Sequence, residues 1–133
     1  SENFLVIARI ESFILGKKTE DALRRAEAYS KAGVDAILIH SKSKTPNEIF
    51  YFARKFIKSK YYKPLVCVPS TYSSTHESEL IKHGFKIVIY ANQLLRSAFP
   101  AMLKTAKKIL IDKRSSFAEK NISEINEILN LIK

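Results

Sequence analysis

Polar side chains follow four apolar runs of the sequence, each with the length and composition of a buried β-strand. The runs cover residues 4–10, 34–39, 65–68 and 86–90. The polar groups at their ends are Arg9, Glu11 and Ser12, then His40, Ser41 and Lys42, then Ser70 and Thr71, and finally Asn92 and Gln93. If the strands are parallel, these ends meet at the edge of the sheet where α/β proteins build their sites. A guanidinium, an imidazole and hydroxyls together are suited to binding an anion.

Arg9 is the residue on which this interpretation depends most. Alternation along a strand places Arg9 and Glu11 on one face with Leu5 and Ile7. A guanidinium inside an apolar strand must find an anion, because an unpaired buried charge costs several kcal/mol. Two interpretations stay open. Arg9 and Glu11 form a structural ion pair, or Arg9 binds a substrate phosphate or carboxylate while Glu11 orients it.

His40 ends the second strand, where a histidine is either a hydrogen-bonded core residue or a donor to a substrate oxyanion. Ser41 and Asn92 are predicted to be supporting polar groups of the same site. No His and carboxylate pair has metal-ligand spacing, so we expect this chain to hold no metal by itself. Cys67 lies inside an apolar run, and we predict that it packs as a small hydrophobe in a protein of the reducing cytoplasm.

Strands and helices alternate along the whole chain and should position these groups. Helix starts are predicted at Thr19, at the capping-box sequence 45–48 (TPNE), at Ser74 and at Ser123. A long helix should follow residue 92, and Pro100 should kink it or delay its start. Four βα units fit half of a (β/α)₈ barrel of ~250 residues. An open doubly wound sheet would need a glycine-rich turn, and the chain has only 3 glycines.

The composition excludes some classes of partner. With 46% hydrophobic and 11% aromatic residues, the chain can bury a core. The formal charge of +10 invites a nucleic-acid interpretation, but the cations are spread along helical faces and no nucleic-acid motif accompanies them. No apolar run approaches the ~18 residues of a membrane span. We therefore expect a small-molecule partner, with no nucleic acid and no membrane.

Several sequence blocks, in order, closely resemble phosphoenolpyruvate mutases. They are VIARIESF at 6–13, ALRRAEAY at 22–29, AGVDAILIHSK at 32–42, TPNEI at 45–49, PLVCVP at 64–69 and VIYAN at 88–92. The related isocitrate and methylisocitrate lyases tend to read Ala-Arg-Thr-Asp at the first strand, where this chain has Ala8-Arg9-Ile10-Glu11. The His40-Ser41-Lys42 block also favours the mutase branch of the superfamily.

The resemblance implies that residues 1–133 are a single partial domain, the C-terminal half, (βα)₄ plus a terminal helix, of a TIM-type barrel. It implies a Mg²⁺-dependent isomerase that interconverts phosphoenolpyruvate and phosphonopyruvate in phosphonate biosynthesis. Arg9 and His40 match the family's strand arginine and strand-end histidine, which would hold the migrating phosphoryl group, and Glu11 would support Arg9. The family's metal-binding aspartates and mobile loops belong to the N-terminal half, so we expect the chain alone to be inactive.

The family also exchanges its last barrel helix between subunits. By resemblance, the segments 93–110 and 123–132 would pack on another chain in a homo-oligomer, although packing within one chain explains their amphipathic pattern equally well. Two other hypotheses remain open. One is a fragment of a phosphonopyruvate hydrolase or of an isocitrate or methylisocitrate lyase, and the other is a non-catalytic half-barrel module.

Overall fold

The structure is a computed structural model that describes residues 4–131, and it divides after Ala91 into two compact units. The first unit alternates strands and helices: β1 (Ile7–Ile10), α1 (Thr19–Lys31), β2 (Ala36–Ile39), α2 (Asn47–Phe56), β3 (Leu65–Cys67), α3 (Glu77–Lys82) and β4 (Phe85–Val88). The second unit contains α4 (Gln93–Asp112), a 3₁₀ helix (Ala118–Lys120) and α5 (Ile125–Asn130). Ile132, at the end of the predicted last helix, lies outside the described residues.

The described strands form one parallel sheet in the order β1-β2-β3-β4. In the β1–β2 register, Arg9 lies opposite Leu38 and Ile10 lies opposite Ile39. The order and the parallel direction confirm the predicted succession of βα units. Because every strand runs the same way, the polar residues after β1 and β2 come to the same edge of the sheet.

One face of the sheet packs against helices of the first unit and forms the main core. Ile10, Ile39 and Leu65 contribute from the strands, and each is at most 1% exposed. Phe52 and Phe56 are fully buried from α2 and stack with ring centroids 5.5 Å apart. The other face carries a smaller cluster of Ala36, Leu38, Val66 and Val68. The alternation of side chains between the two faces follows from the period of two along each strand.

The helix α2 starts differently from the prediction. Asn47 is its first residue and Pro46 occupies the N-cap position, with no capping hydrogen bond from a side chain. The predicted capping box is therefore wrong. Its glutamate, Glu48, instead accepts a hydrogen bond from the hydroxyl of Ser41, so it cannot reach back to the cap.

Three other predicted caps are also wrong. The N-cap of α1 is Lys18 rather than Thr19, and that of α5 is Glu124 rather than Ser123, in both cases without a capping side chain. At α3 the helix begins after His76, whose Nδ1 accepts the backbone N–H of Ser78 at 3.2 Å. Position relative to the first helical turn decides which side chain caps, and sequence patterns leave that position uncertain by one or two residues.

The second unit consists of helices with exposed apolar side chains. No residue of α4 is buried, and Leu95 and Phe99 are 68% and 59% exposed. Pro100 lies within α4, which begins at Gln93, so proline does not delay the start of the helix. Across the described residues, every helix falls short of the length and apolar character that a bilayer crossing requires.

Candidate active site

Arg9, Glu11 and His40 form one hydrogen-bonded cluster at the carboxyl ends of β1 and β2. The Nη2 of Arg9 lies 2.6 Å from Nδ1 of His40, and the same Nδ1 lies 3.0 Å from Oε1 of Glu11. The Nε of Arg9 donates to Glu11. The two residues form an ion pair between β1 and the residue that directly follows it. The register explains why they meet. Arg9 lies opposite Leu38, and His40, two residues after Leu38 and just past the end of β2, is on the same face.

The cluster is open to solvent, which corrects the premise that Arg9 is buried. The side chains of Arg9, Glu11 and His40 are 51%, 38% and 26% exposed. Leu5 and Ile7 share the face of Arg9, and they are also exposed, at 75% and 40%. The need for Arg9 to find an anion therefore does not come from burial.

Two donors keep Glu11 ionised. Desolvation acts to raise the pKa of the Glu11 carboxyl, but hydrogen bonds from His40 and Arg9 outweigh it and lower that pKa below its usual value. The imidazole of His40 is shared between Arg9 and Glu11. Nδ1 of His40 can donate to Glu11 or accept from Arg9, and one tautomer satisfies only one of these contacts. The cluster can therefore adopt two proton arrangements over the same heavy-atom geometry.

This arrangement can bind an oxyanion through two adjacent donors. A guanidinium presents a planar fork that matches phosphate or carboxylate, and an imidazole N–H beside it adds a further donor. Glu11 competes with any incoming anion for the same donors, and it also holds them in place. An anion bound here would therefore use the same donors that now form the ion pair with Glu11.

Ser41 does not join this cluster. It is 2% exposed, its hydroxyl donates to Glu48, and its Oγ accepts the backbone N–H of Ser43 at 3.0 Å. Ser12 behaves in the same way, since its hydroxyl donates to Oδ2 of Asp21 on α1 at 2.8 Å. Both serines connect strand ends to the helices behind the sheet, because alternation turns them away from the face of Arg9.

Asn92 belongs to the second unit and precedes α4. It occupies the N-cap position, with no capping bond from its side chain, and its backbone N–H donates to Oε1 of Gln93 at 3.1 Å. Its Oδ1 is buried without a hydrogen-bond partner in the described part of the chain. A supporting role for Asn92 stays a prediction.

The cluster does not fit a magnesium ion. Mg²⁺ prefers an octahedron of oxygen ligands, usually with one or two carboxylates. Here Glu11 supplies a carboxylate, but its oxygens already accept from Arg9 and His40. Across residues 4–131, no group of three or more His, Cys, Asp or Glu side chains could hold a metal ion.

Sequence reasoning missed two carboxylates that position the strand ends. Glu48 fixes Ser41, and Asp21 fixes Ser12 while also accepting from Arg25 at 2.8 Å. Both carboxylates lie in the first turn of the helix that follows the serine. A serine two residues after the end of a strand, with an acidic residue in the first turn of the next helix, is a signal that could have found both pairs.

The family profile and the individual proteins that this chain resembles belong to the same group of enzymes. Residues 1–110 match the profile of the family described as phosphoenolpyruvate phosphomutase. The chain is 39% identical to the phosphoenolpyruvate phosphomutase of Tetrahymena pyriformis, covering 97% of this chain and 42% of that protein. It is also 39% identical to the phosphonopyruvate hydrolase of Variovorax sp. (strain Pal2), covering 97% of this chain and 44% of the relative.

Solved structures agree with these relatives. A phosphoenolpyruvate phosphomutase from Streptomyces platensis subsp. rosaceus superposes with a TM-score of 0.87 at 40% identity, covering 98% of this chain and 45% of that one. A phosphonopyruvate hydrolase in complex with oxalate and Mg²⁺ superposes with a TM-score of 0.84 at 36% identity, covering 98% and 46%.

The chain thus spans less than half the length of the relatives it matches. Its parallel βα units correspond to half of a TIM-type barrel, as the sequence predicted. The extent of the match, over residues 1–110, and the agreement of fold lead to one conclusion: the chain belongs to the phosphoenolpyruvate phosphomutase family.

Proposed function

We propose that this chain supplies the phosphoryl-contacting half of a phosphoenolpyruvate phosphomutase-type active site. The complete enzyme would interconvert phosphoenolpyruvate and phosphonopyruvate, breaking an O–P bond and forming a C–P bond. The observation that carries the proposal is the contact between Arg9 and His40 at the carboxyl ends of adjacent strands. Three phosphomutases among the relatives support this reaction, at 39%, 34% and 33% identity.

Arg9 and His40 would act as electrostatic donors to the migrating phosphoryl group. Charge in a loose transition state spreads over the phosphoryl oxygens, and donors that are already oriented stabilise it without reorganisation. The carboxylate of Glu11 would keep the guanidinium in its plane until the substrate anion replaces it. Arg9 and His40 are proposed to touch the substrate, and Glu11 is proposed as a positioning residue.

Magnesium would come from outside this half of the site. A phosphonopyruvate hydrolase of similar fold is described with Mg²⁺ and oxalate, and we propose a similar requirement for the complete enzyme. Because the described residues lack a suitable ligand set, the remainder of the barrel would supply the ligands. The isolated 133 residues should then show no turnover, and measurable mutase activity from them would contradict the proposal.

The exposed apolar helix α4 supports an oligomer as part of this proposal. Leu94, Leu95 and Leu110 are 87%, 68% and 67% exposed, which is unfavourable for a helix that stays in water. We propose that a second copy of the complete protein, or the remainder of the barrel, covers this face. The cytoplasm stays the predicted location.

Hydrolysis of phosphonopyruvate is the second candidate function. The hydrolase from Variovorax is as similar in sequence to the chain as the Tetrahymena phosphomutase, with 39% identity for each. The two reactions differ in the acceptor of the phosphoryl group, which is carbon or oxygen of the same substrate in one case and water in the other.

The test joins this chain to the N-terminal part of the Tetrahymena relative and follows phosphonopyruvate by ³¹P NMR. Phosphoenolpyruvate as the product would identify a mutase, and inorganic phosphate would identify a hydrolase.

A binding measurement tests the role of Arg9. Arg9→Ala should weaken oxalate binding by roughly ten- to a hundredfold, the value of one charge-assisted hydrogen bond.

Arg24→Ala is the matched control for the binding measurement. Arg24 is also an exposed arginine in an ion pair, formed with Asp21, but it lies on α1 away from the strand ends. Its removal should change oxalate affinity by less than about twofold. Unchanged affinity in Arg9→Ala would eliminate Arg9 as an anion ligand, and equal losses in both variants would indicate a non-specific charge effect.

A further inference from the structure

A cavity on the outer side of the first unit, between α2 and α3, is distinct from the Arg9 cluster. Its volume is about 700 Å³, which is within the range of small-molecule sites. Helix α2 and the two residues after it, Ile57 and Lys58, form most of its wall, and Lys82 and His83 contribute from the end of α3. The ends of these helices lead back to the starts of the next strands, so Lys58 and His83 lie toward the amino ends of the sheet. Arg9 and His40 lie at the carboxyl ends.

The apolar wall of the cavity is built on the core. Phe50 stacks on His83 with ring centroids 3.6 Å apart and planes within 1°, and it also contacts Phe85 of β4 at 6.5 Å. Ile57 packs directly against Gly84, where any Cβ would collide with it and where φ is +89°. The aromatic stack and this close approach hold the end of α3 against α2. The cavity is a surface groove in which Phe50 and His83 are half-buried and the other lining side chains are exposed.

His83 is held in one orientation by its own helix. Its Nδ1 donates to the carbonyl oxygen of Glu79 at 2.8 Å, which assigns that proton and leaves Nε2 available to a ligand. The ring is thus fixed both by stacking on Phe50 and by this hydrogen bond. A fixed polar group in an apolar wall is typical of sites that orient a ligand.

The charge around the cavity has one sign. Arg54, Lys58 and Lys82 line it, and none of its lining residues is acidic. Among the described residues, none of these three cations takes part in an ion pair within 4.0 Å. The helix dipole favours cations near helix C-termini, which explains why each of these three residues is a cation. It does not require that they surround a concave apolar wall.

We propose that this cavity binds a small organic anion with an apolar or aromatic body. The body would lie against Phe50, Tyr51 and Ile57, and the anionic group would contact Arg54, Lys58 and Lys82. Tyr51 already interacts with cations through its ring, since Arg54 and Lys55 lie 5.4 Å and 4.9 Å from its centroid. An anion at this position would offset the mutual repulsion of the cations, and an apolar body would displace water from the wall.

The test uses 1-naphthyl phosphate as the probe and the 133-residue chain as the protein. Two-dimensional NMR should show saturable shifts at the amides of Tyr51, Ile57 and Gly84. Uncharged 1-naphthol lacks the anionic group, and inorganic phosphate lacks the aromatic body. Both should bind at least about tenfold more weakly than 1-naphthyl phosphate. Either compound binding as tightly as 1-naphthyl phosphate would overturn the proposal.

Matched double variants separate a site from a general charge effect. Arg54→Ala/Lys58→Ala removes two cations of the cavity and should weaken probe binding at least about tenfold. Lys17→Ala/Lys18→Ala removes two exposed cations before α1 and should change binding less than about twofold. Equal losses in both variants, an unchanged affinity in the first, or shifts located elsewhere would each overturn the proposal. Spectra without probe establish that each variant is folded, and Lys82→Ala provides a second test if the double variant is not.

Discussion

Replacing Ser41 by alanine should destabilise the chain by about 2 kcal/mol, whereas replacing Thr45 should cost only a few tenths. The two substitutions separate the hydrogen bonds of the structure from the capping box that the sequence predicts. In the structure the hydroxyl of Ser41 donates to Glu48, while Thr45 Oγ1 reaches only Ser43 Oγ, at 3.4 Å. A true capping box would give the opposite ranking, because loss of a threonine cap costs about 1 kcal/mol.

The magnitude follows from the two bonds of Ser41. A hydrogen bond to a charged group contributes about 1.5–3 kcal/mol, and the bond that Ser41 Oγ accepts from the Ser43 amide adds about 0.5–1.5 kcal/mol. Glu48 and Ser43 are only half-buried, so water replaces part of what is lost. About 2 kcal/mol remains, which is a large share of the 5–15 kcal/mol that stabilises a typical domain.

Urea denaturation followed by circular dichroism measures both changes as shifts in the midpoint at constant slope. The double variant Ser41→Ala/Glu48→Gln should cost less than the sum of the single variants, because both remove the same contact. A larger loss for Thr45→Ala than for Ser41→Ala would refute the hydrogen-bond assignment. If Ser41 is structural, Ser41→Ala should also leave oxalate affinity of the completed barrel unchanged.

Two further predictions concern ionisable groups of the first unit. Burial raises the pKa of the Cys67 thiol to about 12, so its reaction with a disulfide reagent at pH 8 should be at least about a hundredfold slower than in urea; equal rates would contradict this. Hydrogen bonds from Arg25, Ser12 and Arg24 lower the pKa of Asp21 below its unfolded value, so its stabilisation is present above about pH 4 and is lost on acidification. Asp21→Asn should therefore flatten the decline of the urea midpoint below pH 4, and an unchanged decline would show that other groups cause it.

The sheet could be predicted because apolar runs and helical periodicity both leave strong signals. Four runs became four parallel strands in chain order, although each strand is shorter than its run. At the first run, Val6 lies before β1, yet its carbonyl oxygen accepts from the amide of Asp35 at 2.9 Å and its amide donates to the Asp35 carboxylate at 2.8 Å. The Asp35 side chain thus replaces a backbone acceptor in the hydrogen bonding between the two strands. The spacing of apolar residues cannot reveal such a replacement.

The exact helix starts and the surface that covers α4 could not be predicted, for a different reason. A capping box is a local pattern, but Glu48 is drawn away by Ser41, seven residues earlier and at the end of a strand. The apolar stripe of α4 predicts that some surface covers it, and nothing in the stripe identifies that surface. Within the described residues Leu95 and Phe99 of this stripe stay exposed.

The structure brings the predicted residues Arg9, Glu11 and His40 together, but burial of Arg9 is not the cause. Burial does not account for the anion beside Arg9, because its side chain is 51% exposed. Glu11 lies beside Arg9 because alternation puts both on one face of the sheet, and a hydrogen bond with His40 holds it there. An exposed ion pair contributes little to stability, typically below about 1 kcal/mol, so the substrate anion that we propose for this site would displace Glu11 at small cost. The exposure of Arg9 is therefore compatible with the proposal that its guanidinium binds a substrate.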